Sequence, residues 1–443
     1  AAEEITERLE KMDIDLSSIW TGSIHQFCMQ FIIRPYAMYS KRLCKGYRVI
    51  DDYTKIEYGK EIVKQLGISI NNFEYPFQYD DVRVEYKTLL ERKKEIDFND
   101  ILIISQELLF SCHFICSNIS SLISSILIDE FQDTNELQYQ IISKIYKANK
   151  SINLMFVGDI NQAIYGSLGG IAKSRQELEM LYETNFNCMS LSGCYRSTQR
   201  LVDLYSRFEI SKTGVYSVAK YKDYPGEIHY FNSVYYKDLA SEIATLINKE
   251  LSRGTNAEEI CIIAPQRFML FNLSKKLRTI LPDISFDAPD ISPIKYDPMN
   301  PFFLIAKLLF TPSGKNVTLR KKIANEVITI FRDDYRIMLP EDIQSYDILS
   351  VINCCRFSDM DGINCLSNAI EKVFTKLNVC INKVISLLTL KDTFFAEIQS
   401  RVEKYSLATD FNSISKYFGE RKGIIISTLH GVKGEEYTSV IAA

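Results

Sequence analysis

Two adjacent carboxylates, Asp129 and Glu130, directly follow the apolar run Ile126-Leu127-Ile128. A short run rich in Ile is typical of a strand buried in a parallel sheet. In open α/β sheets, ligands bind at the carboxyl ends of the strands, where this pair falls. The hard oxygens of Asp129 can hold Mg²⁺, and Glu130 can polarise a water for attack on a phosphoryl group. The alternative is that the two acids only start a helix, since the helix dipole stabilises negative charge at the N-terminus.

A second apolar run, from Leu154 to Val157, ends in Gly158 and Asp159 and is soon followed by Gln162. It repeats the pattern of a buried strand that ends in an acid. Two further strands are expected within EICIIAP (259–265) and GIIISTLHG (423–431). Apolar strands separated by amphipathic helices predict α/β units with parallel sheets.

Several other elements must position these strands. SIWTGSIHQFCMQFIIRPY (18–36) predicts a strand, a turn and the start of a helix. Asp97 occupies a position typical of a helix N-cap, and the apolar residues after it recur with helical spacing. Those residues are Ile101, Ile104, Leu108 and Leu109. Residues 300–415 have a mostly helical pattern without an interpretable motif.

The composition excludes several classes of protein. Hydrophobic residues make up 46% and charged residues 24% of the 443 residues, as in ordinary globular proteins. No apolar stretch approaches the ~18 residues of a bilayer span. The eleven cysteines lack the paired spacing of a zinc site, so reduced cytoplasmic thiols are expected. A formal net charge of −4 argues against a uniformly basic nucleic-acid binder but permits a local basic path.

An ordered set of segments resembles the motifs of superfamily 1 DNA helicases of the UvrD/Rep/PcrA type. The second to fifth motifs of that family are matched by DEFQD (129–133), VGDINQAIYG (157–166), YRS (195–197) and TLHGVKGEE (428–436). Weaker matches are AAEEITERL (1–9), SIHQF (23–27) and DFNDIL (97–102). Seven matches in the right order make a chance resemblance hard to sustain.

The resemblance implies an α/β fold with two RecA-like, parallel-sheet P-loop NTPase domains facing each other across an ATP cleft. The first domain would comprise residues 1–40 and 96–205, and the second 206–299 and 416–443. Mostly helical insertions would occupy residues 41–95 and 300–415.

The resemblance also implies an ATP site in which Asp129 holds Mg²⁺, Glu130 activates the attacking water and Gln162 senses the γ-phosphate. Tyr195 would stack on the adenine ring. Arg196 would reach the γ-phosphate from the second domain, where a cation stabilises the transition state only once the domains close. Further nucleotide contacts would come from Asp159, Lys433, Gly434 and the ribose-binding Glu436.

Single-stranded DNA or DNA ends are the implied partner, and no membrane is expected. The implied DNA-binding residues are Ser23, His25, Tyr165, Arg267, Thr428 and His430. Tracking along one strand needs phosphate contacts and stacking platforms rather than base readout. The alternatives are that His25 and His430 are core histidines, that Tyr195 simply packs, and that Arg196 forms a structural salt bridge.

The chain departs from the family pattern at its ends and in its motifs. No G-x-x-x-x-G-K-[ST] phosphate loop and no sixth motif occur. We therefore expect this chain to be part of a longer protein and to bind ATP weakly by itself. In the third motif, Ser167 and Leu168 stand where the family has an aromatic residue and Arg, which removes one stacking platform. Glu435 replaces an apolar residue of the fifth motif.

The FIIRPY run (31–36) and the short insertion also resemble the helicase-like subunit of the Gabija anti-phage defence system. In that system the helicase-like protein works beside a nuclease that carries an ATPase and a TOPRIM domain. Three hypotheses therefore stand: a DNA-dependent ATPase that translocates 3′ to 5′, a DNA-sensing ATPase subunit that regulates a nuclease, and a scaffold that binds no nucleotide. A cytoplasmic location is expected for each.

Overall fold

The structure of the protein is a computed structural model. It describes residues 5–6, 8–9, 12–68, 75–164, 166, 169–288, 292–314, 317–356, 361–405, 407–418 and 423–443. The chain is α/β, with helices dominant and small parallel sheets. It divides into two compact units: Trp20–Ile228 forms one, and Ala1–Ile19 with His229–Ala443 forms the other.

The strands are short. They are β1 (Arg48–Val49), β2 (Glu95–Ile96), β3 (Ser125–Ile128), β4 (Asn153–Phe156), β5 (Gly193–Cys194), β6 (Tyr216–Ser217), β7 (Ile260–Ala264), β8 (Phe286–Asp287), β9 (Ile424–Thr428) and β10 (Ser439–Ala442).

The helices of the Trp20–Ile228 unit connect strands β1 to β6. They are α1 (Ile24–Phe27), α2 (Arg34–Tyr36), α3 (Asp52–Gln65), α4 (Asp80–Lys93), α5 (Phe98–Ser111), α6 (His113–Ser121), α7 (Glu136–Ala148), α8 (Arg175–Tyr182) and α9 (Gln199–Tyr205).

The other unit contains α10 (Leu239–Ser252), α11 (Arg267–Ile280), α12 (Pro301–Phe310), α13 (Val317–Thr329), α14 (Ser345–Asn353), α15 (Gly362–Lys376), α16 (Ile385–Tyr405) and α17 (Phe411–Phe418).

Strands β3 and β4 pair in parallel, so that Leu127 lies opposite Met155 and Ile128 opposite Phe156. Successive side chains of a strand point to opposite faces. Ile128 is buried, but Leu127 is 70% exposed and Met155 is 53% exposed. Both strands were predicted correctly. The prediction that they are buried is wrong for one face, because the described chain covers the pair only on the side of Ile128.

The strand expected near residue 18 is absent from the described residues, and the chain is helical from Ile24. A capping box begins this helix: Ser23 Oγ accepts the Gln26 N–H, and Gln26 Oε1 accepts the Ser23 N–H. A π-helical segment, Cys28–Ile33, joins α1 to α2. Its buried residues recur with helical spacing, and the predicted start of a helix in this segment is confirmed. They are Cys28, Met29, Ile32 and Ile33.

Helix α5 confirms the prediction made from DFNDIL. Asp97 is its N-cap and accepts the Asp100 N–H at 2.9 Å. The four apolar residues predicted for its inner face are all buried, namely Ile101, Ile104, Leu108 and Leu109.

The segment between residues 41 and 95 is mostly helical and contains α3 and α4, as expected. Ion pairs join it to the start of α5. Arg42 makes two hydrogen bonds to Asp100, at 2.8 and 2.9 Å, and Lys55 Nζ donates to Asp97 Oδ2 at 2.8 Å. A small apolar core lies beneath the two helices and includes Ile50, Ile62, Val82 and Leu90.

The Ala1–Ile19 and His229–Ala443 unit contains a four-stranded parallel sheet in the order β10-β7-β9-β8. The strands predicted within 259–265 and 423–431 are confirmed as β7 and β9. Their apolar residues are buried with those of α10 and α11 in one core.

Residues between 300 and 415 are helical, as predicted, and helices α12 to α17 share a separate core. Helix α12 is apolar on all sides, and nine of its ten residues are buried. That pattern is typical of a central helix. The assignment of RecA-like domains and insertions to these segments stays a prediction.

Among the described residues, no single helix has both the length and the apolar composition of a bilayer span. Helices α5 and α6 reach that length only together, and they meet at an angle of 101°.

Candidate functional site

The second-motif and third-motif segments meet at one edge of the β3–β4 pair. Asp129 and Glu130 follow β3, and Gly158 and Asp159 follow β4. Because the strands are parallel and in register, their carboxyl ends place both loops side by side. Backbone hydrogen bonds continue beyond the strands, since the Phe131 N–H donates to Val157 O at 3.1 Å.

Glu130 has an unusual backbone conformation. Its φ of 52° and ψ of 43° lie in the left-handed region, which costs roughly 1–2 kcal/mol for a residue with a Cβ. Strain of this kind clusters at functional sites. Asp129 Oδ1 accepts the Glu130 N–H at 3.0 Å. The alternative was that the two acids merely start a helix. They do not lie at the start of α7, because a 3₁₀ turn, Phe131–Asp133, separates them from it.

Gln132 is the residue that connects the two loops, and its role was not predicted from the sequence. Its side-chain Nε2 donates to Glu130 Oε2, and its Oε1 accepts the Asp159 N–H at 3.1 Å. Gln132 is 1% exposed. A Cβ on Gly158 would contact Gln132 Oε1 and would lie 2.7 Å from Phe131 Cδ1. Only glycine at position 158 therefore lets the buried amide approach the third-motif backbone.

The third-motif loop is itself ordered by side chains. Asp159 Oδ1 caps the turn Ile160–Gln162 by accepting the Asn161 N–H at 2.9 Å, and Asp159 Oδ2 accepts Gln162 Nε2 at 2.9 Å. Gln162 is exposed at the surface of this loop. Asp129, Glu130, Asp159 and Gln162 therefore lie on two adjoining loops, as a nucleotide site at a strand edge requires.

Tyr139 on α7 holds the chain that follows both motifs. Its hydroxyl donates to Phe131 O at 2.7 Å and lies 3.1 Å from Ile171 O. Burial raises the pKa of Tyr139 to about 12, so this hydroxyl keeps its proton at neutral pH. The Ile171 N–H donates to Thr134 O at 2.9 Å. This contact was not predicted from the sequence, because a tyrosine within an amphipathic helix is ordinary.

The fourth-motif residues occupy an exposed turn after β5. Tyr195 is 81% exposed, so the alternative that it simply packs is wrong for this structure. Arg196 is exposed, and its carbonyl accepts the Tyr221 hydroxyl at 2.8 Å. It lies in the same compact unit as Asp129 and Glu130, whereas the resemblance implies an approach from the second domain. The role of Arg196 at the γ-phosphate stays a prediction.

The segment expected to contact DNA carries the sole tryptophan of the chain. Trp20 lies edge-to-face against Phe27 and Phe31, with 5.7 Å between ring centroids in each pair. Ser23 is exposed and caps the helix that follows. His25 is half-buried and lies edge-to-face to Phe98 at 6.0 Å, and burial lowers its pKa. His25 therefore partly fits the alternative of a core histidine.

The fifth-motif residues lie in the other unit, at the carboxyl end of β9. Thr428 Oγ1 accepts the Gly431 N–H at 3.2 Å and caps the turn Leu429–Val432, which contains the half-buried His430. Gly434 has a φ of +86°, a conformation that glycine adopts readily. Lys433 is half-buried and Glu436 is exposed. Their roles in nucleotide and DNA binding stay predictions.

Two of the predicted DNA-binding side chains lie outside the part of the chain that the structure describes. Tyr165 lies outside the described residues, as do Ser167 and Leu168. Arg267 begins α11, but its side chain lies outside the described part of the chain.

The donor chemistry at the β3–β4 edge fits Mg²⁺, which proteins hold through one or two carboxylates together with substrate phosphates. Asp129 is an exposed carboxylate at the end of a parallel strand. Within the described ranges, no group of three or more His, Cys, Asp or Glu side chains could hold a metal unaided. A bound ion would therefore take further ligands from phosphate and water.

Comparison with known proteins finds similarity to the same family at this edge of the sheet. Residues 71–179 match the UvrD/REP helicase N-terminal domain, and this range contains both motif segments described above. ATP-dependent DNA helicase PcrA of Leuconostoc citreum is 25% identical over 46% of this chain and 30% of its own length. PcrA of Staphylococcus aureus is 23% identical over 59% of this chain and 40% of its own length.

The chain spans about 30 to 40% of the length of these relatives. The domain match and the PcrA similarities together support a UvrD/PcrA-like superfamily 1 helicase relationship for this chain.

Proposed function

We propose that this chain carries part of the motor of an ATP-dependent DNA helicase of the UvrD type, which moves on single-stranded DNA or from DNA ends. The observation that carries the proposal is the junction of the second-motif and third-motif loops at the carboxyl ends of β3 and β4. A phosphoryl-transfer site needs a metal-binding carboxylate and a base that meet the same phosphate. Asp129 and Glu130 supply both groups at one strand end.

When bound, ATP with Mg²⁺ supplies the phosphoanhydride that is hydrolysed. Asp129 would orient toward the ion, and Glu130 would accept a proton from the attacking water. Gln162, whose side chain donates to Asp159, would report the presence of a γ-phosphate to the third-motif loop. The exposed ring of Tyr195 suits stacking on adenine, since an aromatic face needs an open approach to the base.

The DNA track would use exposed groups of SIHQF and of the fifth motif. Ser23 presents an exposed hydroxyl at a helix N-terminus, where backbone N–H groups favour phosphate. Thr428 and His430 lie at the carboxyl end of a strand, where ligands bind in open α/β sheets. We propose 3′-to-5′ movement from the family resemblance alone.

A second candidate is a DNA-sensing ATPase subunit that regulates a partner nuclease, as in the Gabija anti-phage system. The sequence of the third motif favours it, since Ser167 and Leu168 replace an aromatic residue and an arginine. Each lost base platform weakens binding to single strands by roughly 1–3 kcal/mol, which favours brief sensing over processive unwinding.

Strand displacement separates the two candidates. The protein expressed from its complete reading frame is mixed with ATP and a duplex that carries a 3′ single-stranded tail, beside a Glu130→Gln variant. A helicase releases the labelled strand with wild-type protein and not with the variant. Hydrolysis that depends on DNA without strand release would favour the sensor, and the absence of both would contradict the proposed function.

A further inference from the structure

Gln132 is buried, and both ends of its side-chain amide are hydrogen-bonded. Burying an amide is unfavourable unless its donor and acceptor both find partners. At a position that is 1% exposed, a Leu or Met side chain would fill the space without that requirement. The partners of Gln132 lie in the two loops that carry the candidate ATP site, rather than in the helices beneath it.

The orientation of this amide follows from its partners. The Glu130 carboxylate only accepts hydrogen bonds, so the NH₂ group of Gln132 must face it. The Asp159 backbone N–H only donates, so the carbonyl oxygen must face that side. One side chain thus contacts the acid that would act as the base and the backbone that leads to Gln162.

Three hydrogen bonds form a continuous path across the site. Gln132 Nε2 donates to Glu130 Oε2, the Asp159 N–H donates to Gln132 Oε1 at 3.1 Å, and Gln162 Nε2 donates to Asp159 Oδ2 at 2.9 Å. A shift of the third-motif loop would therefore move Gln132 and, through it, the Glu130 carboxylate.

We propose that Gln132 is a positioning residue that couples the third-motif loop to the orientation of Glu130. The proposal rests on the proposed ATPase function. It explains why Glu130 is retained in a left-handed conformation, since a charge-assisted hydrogen bond from a fixed donor holds the carboxylate there. It also explains Gly158, whose missing Cβ leaves room for the amide.

Two variants of Gln132 separate its two contacts. Gln132→Met keeps the volume and removes both hydrogen bonds. Gln132→Glu retains an acceptor for the Asp159 N–H but replaces the donor to Glu130 with a like charge. The matched control is Gln106→Met on α5, where the amide donates to Gln140 outside the two loops.

The measurements are the kcat and KM for ATP of the whole protein with saturating single-stranded DNA, and hydrogen–deuterium exchange of the Asp159 amide without nucleotide. We expect both Gln132 variants to lower kcat by on the order of 10²-fold, the size of effect that misplacement of a catalytic group produces, with little change in KM. Asp159 exchange should accelerate in Gln132→Met but not in Gln132→Glu, and Gln106→Met should match the wild type in both measurements.

A kcat of Gln132→Met within twofold of the wild type would overturn the proposal, as would unchanged Asp159 exchange in that variant. If Gln132 had a merely structural role, both variants would lose thermal stability and their Asp159 exchange would change to the same extent. That result would also overturn the proposal. If the wild type itself hydrolyses no ATP, the proposed function fails. Accelerated exchange in Gln132→Met would then still establish the link between the loops.

Discussion

Lys55 Nζ donates a hydrogen bond to Asp97 Oδ2 at 2.8 Å and so joins helix α3 to the N-cap of α5. Burial would raise the pKa of Asp97, but the hydrogen bond and charge of Lys55 outweigh it and lower that pKa. The Tyr86 hydroxyl also donates to Asp97, at 3.2 Å. The side chains of Lys55 and Asp97 are 23% and 8% exposed, so their ion pair is largely shielded from water.

Replacing Lys55 with Met should therefore destabilise the protein. The Asp97 carboxylate would stay buried without its cation, at a cost of about 2 kcal/mol in the free energy of unfolding. Chemical denaturation at pH 7 measures the change. Lys60→Met is the control, because Lys60 pairs with Glu57 at the surface and its loss should cost under about 0.5 kcal/mol. Equal effects of both variants would contradict the importance of the buried pair.

The stability of the protein should decrease in mildly acidic solution through His25. Burial lowers the pKa of His25 in the folded state, whereas the unfolded chain titrates near its ordinary value of about 6.5. As the pH falls through that value, the unfolded state gains a proton that folded His25 does not, so the free energy of unfolding falls.

Denaturation curves of wild-type protein and a His25→Gln variant at pH 8 and pH 5.5 would test this. The loss of stability between the two pH values should be smaller in the variant. His113→Gln, at an exposed position on α6, serves as the control replacement. An identical loss in wild type and His25→Gln would show that His25 is not the group responsible.

Gly158→Ala should disturb the junction of the two motif loops. The new methyl group would contact Gln132 Oε1 and the Phe131 ring, and overpacking of this kind costs about 1–3 kcal/mol. Gly166→Ala is the matched control in the same segment, since among the described residues, its chain neighbours aside, no atom lies within 4 Å of its added Cβ. A variant at position 158 as stable and active as the control would contradict the close approach of Gln132.

Trp20 offers a direct probe of the proposed DNA track, because it is the sole tryptophan and lies three residues before Ser23. Its indole N–H donates to Gln30 Oε1 at 2.9 Å, which holds the ring beside the SIHQF segment. Binding of single-stranded DNA at Ser23 should change the fluorescence emission of Trp20. Unchanged emission at concentrations that saturate binding, as judged by anisotropy of labelled DNA, would place the strand elsewhere.

The sequence predicts which residues lie at the strand ends and helix caps better than it predicts the packing around them. Asp129 and Asp159 are recognisable because each follows an apolar run, and strand ends are where acids act. Asp97 is recognisable because capping is local in sequence. The exposure of Leu127 and Met155 cannot be recognised from the sequence, because an apolar run looks the same whether one face or both faces of the strand are covered.

The role of Gln132 was missed for a related reason. A glutamine among acids and aromatics is ordinary, and its burial and partners depend on a loop that follows a different strand. Gly158 next to Asp159 was the one local hint, since a glycine at a strand end often marks a close approach of another chain segment. The strand expected near residue 18 was a wrong prediction, because a short apolar run fits both periodicities until its buried residues are known.

The measurement that tests the central claim most directly is steady-state ATP hydrolysis by the protein expressed from its complete reading frame. Rates with and without single-stranded DNA are compared between wild type and Glu130→Gln, which keeps the size of the side chain and removes its charge. The account predicts hydrolysis that DNA stimulates in the wild type and that falls to background in the variant. Equal hydrolysis in both proteins, or none in either, would contradict the assignment of Glu130 and of the ATP site at the carboxyl ends of β3 and β4.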